Sequence, residues 1–442
     1  MNALRRLLAW VDARPGAALA IVLLLGAALR VGLLASEGIH GDERRPFAIA
    51  ASAARGEGFR YCNQYFPFCG PGNDTTAMLG PVPGLLFAAH IALFGEHAVA
   101  SIVALQLLLG LATGACAHAL ARELFGSARA GVLASLLCVG YPHLARLELF
   151  PREETLFSFL LALGVWLAVR GVARERAALL AAAGAVLGLA SLTRAALLWY
   201  PPLLALALLL ALRGPLGRRA RCAAALLAAF AAVLAPWVAR NARAFDAFVP
   251  GTTLTGYNLY RHNHILERAP YLRYVRGAEG RDALAKLVAR RSDLRGDENE
   301  AAMDRVYREE ALAIIRAHPG RYLALALWRA APLFTDAGVY ASGLSPFWQL
   351  VALANLVLLA LASASVWQHR AWRSPALLCV VLLILYNTAG HMAVNARLRY
   401  TVPVMPLVIV LAAERIAALA GRARVAASGE SAITGGGAPA EL

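Results

Sequence analysis

Gly38-Ile39-His40-Gly41-Asp42-Glu43-Arg44-Arg45-Pro46 follows directly on residues 16–35, an apolar segment long enough to cross a bilayer. An adjacent pair of carboxylates, with a histidine before it and two arginines after, therefore stands where a helix leaves the membrane. Charge beside hydrocarbon is expensive, so a cluster in this place marks a candidate site. The plainer alternative is a solvated loop that touches lipid head groups. The rest of the chain decides between them.

Nine further apolar runs are long enough to span: residues 97–121, 129–145, 154–170, 178–194, 197–212, 222–238, 346–366, 375–393 and 400–419. With 60% hydrophobic residues among 442, the chain reads as a polytopic all-α membrane protein of about ten crossings. The first run reads as a retained span, since no small-residue cleavage site leads from it into a soluble domain. The formal charge of +16 is carried by arginine apart from Lys286, and it falls in short turns between apolar runs. That pattern reads as membrane orientation and excludes a nucleic-acid surface.

Arg5, Arg6 and Arg14 place the N-terminus inside. Ten crossings then leave every inside turn short and arginine-bearing, as the positive-inside rule requires. Two shorter apolar runs, 81–95 and 321–336, fit this arrangement as helices lying along or dipping into the outer interface. The chain so divides into an N-terminal membrane module (1–238) with a first external loop (36–96), a large external loop (239–345), C-terminal spans (346–420) and a disordered inner tail (421–442). The large loop predicts helices at Asp282–Arg291 and Glu298–Ala317. Cys62 and Cys69 share one polar turn on the oxidising side, which predicts a disulfide.

Nearly all residues suited to chemistry fall outside. Neighbouring carboxylates repel, so of Asp42 and Glu43 one is readily kept as a base while the other binds a donor group or metal. A second acidic site is Glu148 with Glu153 and Glu154, where Pro151 breaks a helix. Capping of the next helix explains this second site about as well as function does. Arg194, Arg240, Arg397 and Arg399 end or begin spans at the outer face, and arginine forks match phosphate oxygens. Interfacial snorkelling explains any one of them, but less readily all of these outer turns. Arg30, inside the first span, is expected to face the bundle interior. Gly256-Tyr257-Asn258-Leu259-Tyr260-Arg261-His262-Asn263-His264 reads as a glycine turn followed by amides and aromatics suited to a sugar. No phosphate loop, dinucleotide fingerprint or nucleophile elbow occurs.

With these residues in place the chain resembles the GT-C superfamily of glycosyltransferases, in particular protein O-mannosyltransferases and lipid A aminoarabinose transferases. His40-Gly41-Asp42-Glu43 is similar to the His-x-Asp-Glu start of their first external loop. Thr75-Thr76-Ala77 through Gly84, and Phe94-Gly95, resemble the next part of that loop. Pro236-Trp237 with Arg240-Asn241 resembles a bacterial Pro-Trp-x-x-Arg-Asn motif. Arg399-Tyr400 with Pro403 and Pro406 resembles the start of their last span.

The resemblance implies a GT-C-like helical bundle and a polyprenyl-phosphate sugar donor taken from the outer leaflet of a bacterial cytoplasmic membrane. It implies Asp42 as the base, inversion at the sugar carbon, and a hydroxyl acceptor of unspecified class. Arg194, Arg240 and Arg399 would hold the donor phosphate, while His40, Asn258, Tyr260, Asn263 and Tyr400 would contact sugar or acceptor. No cofactor is required; a divalent metal is compatible but not demanded. A lipid-linked sugar flippase and a non-catalytic lipid-binding accessory protein are the alternatives.

Overall fold

The computed structural model describes residues 2–433 except 40–43, 64, 269–271 and 337–342. His40, Asp42 and Glu43 thus lie outside the described residues. Among those described, the architecture is helical, with one isolated antiparallel bridge between Arg60 and Thr75.

Seven helical segments are long and apolar enough to cross a membrane: Pro15–Glu37, Pro81–Phe125, Glu153–Ala173, Leu216–Phe245, Pro346–Gln368, Pro375–Val394 and Val402–Gly421. Three shorter apolar helices, Ala128–Val139, Ala177–Thr193 and Ala195–Ala211, occupy the remaining runs of the ten expected from sequence. Pro81–Phe125 is not one straight rod. Gly95 adopts φ +53° after Phe94, and the His90 ring nitrogen meets the Ser101 hydroxyl at 2.7 Å. Eleven residues of continuous helix would hold those side chains about 16 Å apart along the axis. Helix Pro81–Phe94 therefore turns back before Ala98–Phe125 begins.

The central element is the last long helix, Met405–Ile433, whose residues 405–413 are all buried. Small residues let the helices around it approach closely. A Cβ on Gly184 would lie 2.1 Å from the Leu226 carbonyl oxygen, and one on Gly188 2.9 Å from Val233. Helix Ala177–Thr193 thus packs backbone to backbone on Leu216–Phe245, as apolar helices in lipid tend to do. Exposed leucines such as Leu24, Leu210, Leu350 and Leu385 cover the bundle's outer faces, as lipid contact requires. The chain is a multi-pass membrane protein.

Span Pro15–Glu37 buries only Ala18, Val22, Gly26 and Arg30. Arg30 anchors it. Its Nε and Nη2 donate to the two carboxylate oxygens of Glu148, both at 2.6 Å, while Nη1 donates to the carbonyls of Gly26 and Val139 at 3.1 Å. Gly110 makes room for the pair, since a Cβ there would lie 1.9 Å from Glu148 Oε1.

Outside the bundle, the described residues of 59–80 and 249–328 form one lobe around Tyr65, Tyr257, Tyr260, Leu287, Met303 and Tyr307. Cys62 and Cys69 are joined by a disulfide within it. Asn299 caps helix Glu300–Ala317 by accepting from the Ala302 amide. The stretch read from sequence as a glycine turn is instead the helix Thr255–Asn263. Gly256 is needed there because a Cβ would lie 1.9 Å from the Asp304 carbonyl oxygen of the neighbouring helix. Helix Met405–Ile433 runs past Gly421, and residues 434–442 lie outside the described residues.

Glu300 clasps the lobe's two sequence-distant halves. It accepts from the Thr76 hydroxyl at 2.9 Å and the Ala77 amide at 2.7 Å. Burial raises its pKa from the ordinary 4.5 to about 7, against the lowering effect of those donors. The sign follows from linkage: between pH 4.5 and 7 the folded protein holds a proton that the unfolded chain has released. This group's contribution to stability therefore falls as pH climbs through that window. Glu300→Gln removes the slope. Its stability relative to wild type should rise by up to about 3 kcal/mol between pH 4.5 and 7.5. Paired thermal melts check this; parallel pH profiles for the two proteins would refute it.

Candidate active site

A cavity of about 970 Å³ lies between the outer lobe and the ends of the spans. Of the residues singled out in the sequence, Glu153, Glu154, Arg194, Asn258, Arg397, Arg399 and Tyr400 line it. Arg45 and Pro46, which follow Arg44 just past the undescribed stretch 40–43, line it as well.

Arg194 sits where helix Ala177–Thr193 stops. Its backbone is extended (φ −141°, ψ 116°), and a short 3₁₀ turn at Ala195–Leu197 separates it from helix Tyr200–Ala211. The break turns the guanidinium toward Glu154 Oε1 at 3.0 Å and Glu153 Oε1 at 3.8 Å. Both carboxylates start helix Glu153–Ala173, where the macrodipole also favours them. The second acidic site therefore orients Arg194. Glu148, read from sequence with that pair, belongs instead to Arg30.

Gly80 brings the first loop onto the same place, because a Cβ there would lie 1.9 Å from the Leu192 carbonyl oxygen. Opposite stands the turn Leu398–Tyr400, held by Asp336, which accepts from the Leu398 amide at 2.8 Å. The Tyr400 ring stacks on His391 at 4.8 Å and 6°, and its hydroxyl accepts from Asn395 Nδ2 at 3.2 Å. The guanidiniums of Arg194 and Arg399 lie 5.6 and 5.1 Å from that ring's centre. Two cations thus share one aromatic platform at the cavity wall, a fit for an anion with more than one oxygen. An apolar rim of Leu198, Trp199, Phe248 and Val394 lies beside them.

Three expected site residues are not brought to the cavity. Arg240 is surrounded by Phe59, Trp237 and Phe245 and donates to the Thr76 and Phe59 carbonyls and to Asn241 Oδ1. With Trp237 Nε1 on the Gly251 carbonyl and Asn241 Nδ2 on that of Val249, the Pro-Trp-x-x-Arg-Asn motif is a clasp for loop backbone. Tyr260 is packed in the lobe's core. Asn263 is buried and accepts from Arg329 at 3.1 Å.

Arg329 and His391 escaped sequence reasoning. Arg329 is 5% exposed and also donates to the carbonyls of His262, Met392 and Ala393, pinning the outer lobe to the end of Pro375–Val394. Burial lowers its pKa to about 10. The usable signal was charge interrupting an apolar run.

Among the described residues no three His, Cys, Asp or Glu side chains converge as metal ligands. The cavity's Glu153 and Glu154 are already paired with Arg194, so the described donors do not fit a dication.

Residues 78–239 match the family described as dolichyl-phosphate-mannose-protein mannosyltransferase. No curated protein matches the chain significantly in sequence. Its fold is similar to an archaeal oligosaccharyltransferase, AglB from Archaeoglobus fulgidus, solved with an inhibitory peptide and a dolichol-phosphate. The TM-score is 0.60 at 15% identity, covering 96% of this chain and 52% of that one. The same organism's enzyme in complex with Zn and sulfate matches at 0.55 and 13%, over 91% of this chain and 50% of that one. The chain thus spans about half the length of these structures. ArnT from Cupriavidus metallidurans, bound to undecaprenyl phosphate, matches at 0.41 and 15%, over 90% and 76%, too loosely to argue from. In fold the chain is similar to the archaeal oligosaccharyltransferase, and its residues 78–239 match the model of the mannosyltransferase family.

Proposed function

We propose that this protein is an inverting glycosyltransferase working on the outer face of a bacterial cytoplasmic membrane, with a polyprenyl-phosphate sugar as donor and a hydroxyl acceptor. The cavity carries this reading: Arg194 and Arg399 flank Tyr400 on one wall, and an apolar rim lies beside them. Phosphate suits the first and an isoprenoid tail the second. Support comes from the family match and from the dolichol-phosphate held by the archaeal relative.

In the proposed step Asp42 takes the proton of the acceptor hydroxyl. The freed oxygen attacks the sugar's anomeric carbon from the face opposite the phosphate, and the carbon–oxygen bond to phosphate breaks. Negative charge then grows on the departing phosphate, where preformed arginines stabilise it most. Glu153 and Glu154 keep Arg194 aimed, and Asp336 keeps the Arg399 turn in place.

Binding tests the reading directly. Wild-type protein in phosphatidylcholine nanodiscs should bind a polyprenyl phosphate, and Arg399→Ala, which leaves the Arg194 ion pairs intact, should weaken it roughly tenfold or more. Arg194→Ala should do the same. Failure of wild type to bind, or wild-type affinity in both variants, would end it.

A further inference from the structure

The cavity has a second basic wall that the donor's phosphate does not use. It is built on the outer lobe from Arg45, Arg261, Arg305 and Arg308. The wall is continuous. Arg45 donates to the Tyr65 hydroxyl at 3.0 Å and lies 5.1 Å from that ring, which is 4.5 Å from the Tyr257 ring. Arg261 lies over Tyr257 and donates to its hydroxyl at 3.1 Å. Helix Thr255–Asn263 packs through Gly256 on the backbone of Asp304 and Arg308, so Arg305 and Arg308 rise from the neighbouring helix beside it.

Charge pairing separates this wall from the rest of the lobe. Away from the cavity, Arg273, Arg290 and Arg291 each hold a carboxylate, from Glu279, Glu310 and Asp293. Among the described residues no carboxylate forms an ion pair with Arg261, Arg305 or Arg308. The one acid on this wall, Asp304, is turned to the Tyr257 amide at 3.0 Å. Four cations gathered in a concave site repel one another and focus a positive field into it, an arrangement that favours an anionic occupant. The donor has one phosphate, which the Arg194–Tyr400–Arg399 wall accommodates.

Resting on the glycosyl-transfer reading, we propose that the acceptor itself carries a phosphate group, which Arg45, Arg261, Arg305 and Arg308 hold while its hydroxyl faces the donor sugar. A phosphorylated lipid head group and a free sugar phosphate share this chemistry.

The test uses full-length protein in phosphatidylcholine nanodiscs saturated with polyprenyl phosphate, so that the first wall is filled. Dihexanoyl phosphatidic acid and glucose 6-phosphate are titrated against dihexanoylglycerol and glucose. At least one phosphorylated compound should bind at least about tenfold more tightly than its neutral counterpart, and Arg305→Ala/Arg308→Ala should abolish that difference. Both positions are exposed, so the double variant should stay folded, and its unchanged affinity for polyprenyl phosphate checks this. Preference for the lipid alone assigns the site to a head group; binding of both assigns it to phosphate as such. Equal binding of phosphorylated and neutral compounds, or a preference that survives the double variant, overturns the proposal while leaving the donor reading intact. Failure of polyprenyl phosphate to bind wild type would instead remove the donor reading.

Discussion

Asp42→Asn should lower glycosyl transfer by roughly two to four orders of magnitude while leaving donor affinity unchanged. The substitution keeps size and most hydrogen bonding but removes the proton acceptor. In the proposed reading donor phosphate would rest on Arg194 and Arg399, which the change does not touch, so binding and turnover should part company. Glu43→Gln separates the two neighbouring carboxylates: if Glu43 is the base, that variant is the inactive one and Asp42→Asn keeps its turnover. The reason for seeking the base here is that Arg45 and Pro46, immediately beyond the undescribed residues and Arg44, line the arginine-walled cavity. Near-wild-type turnover in both variants, with protein folded in the membrane, would leave this stretch without a catalytic role.

Arg30→Met should destabilise the fold by about 3–5 kcal/mol, because it strands a buried carboxylate without its counter-charge. Glu148 is 1% exposed, and both its oxygens accept from Arg30. The double variant Arg30→Met/Glu148→Leu should recover most of the loss, since replacing a buried pair by apolar side chains is often neutral. Gly110→Ala tests the same pocket from a third helix and should be destabilising on its own, its Cβ falling within bonding distance of Glu148 Oε1. Thermal unfolding in detergent, followed by the fraction eluting as monodisperse protein, reads all three. Equal loss in the single and double variants would mean that packing around Arg30, and not charge pairing, holds the first span.

What was legible in the sequence follows what physics makes local. Runs of apolar residues announced their helices, and the helix expected at Glu298–Ala317 is found at Glu300–Ala317, behind a cap at Asn299. Thr255–Asn263 was misread because its glycine meets no local turn; it meets a neighbouring helix some fifty residues away. Arg240 was expected at phosphate because free arginines suit phosphate, yet its partners are backbone carbonyls of residues 59 and 76, which no spacing reveals. Arg194 and Arg399 could be placed at one membrane face by counting crossings. That they share the Tyr400 ring depends on a helix break and on Asp336 holding a turn, neither visible in the chain alone.

The clasp on Glu300 also has a consequence in time. Thr76 and Glu300 are 224 residues apart in sequence. A ribosome adding about 5–20 residues per second leaves the loop after the first span without that partner for about 10–45 s. Tyr65, which receives Tyr307 on its carbonyl, waits longer still, across 242 residues. Over that interval the seven-residue Cys62–Cys69 closure is the loop's own constraint, made entirely from residues already synthesised. The segment that carries Asp42 is therefore among the first parts of the protein to be made and among the last to be seated.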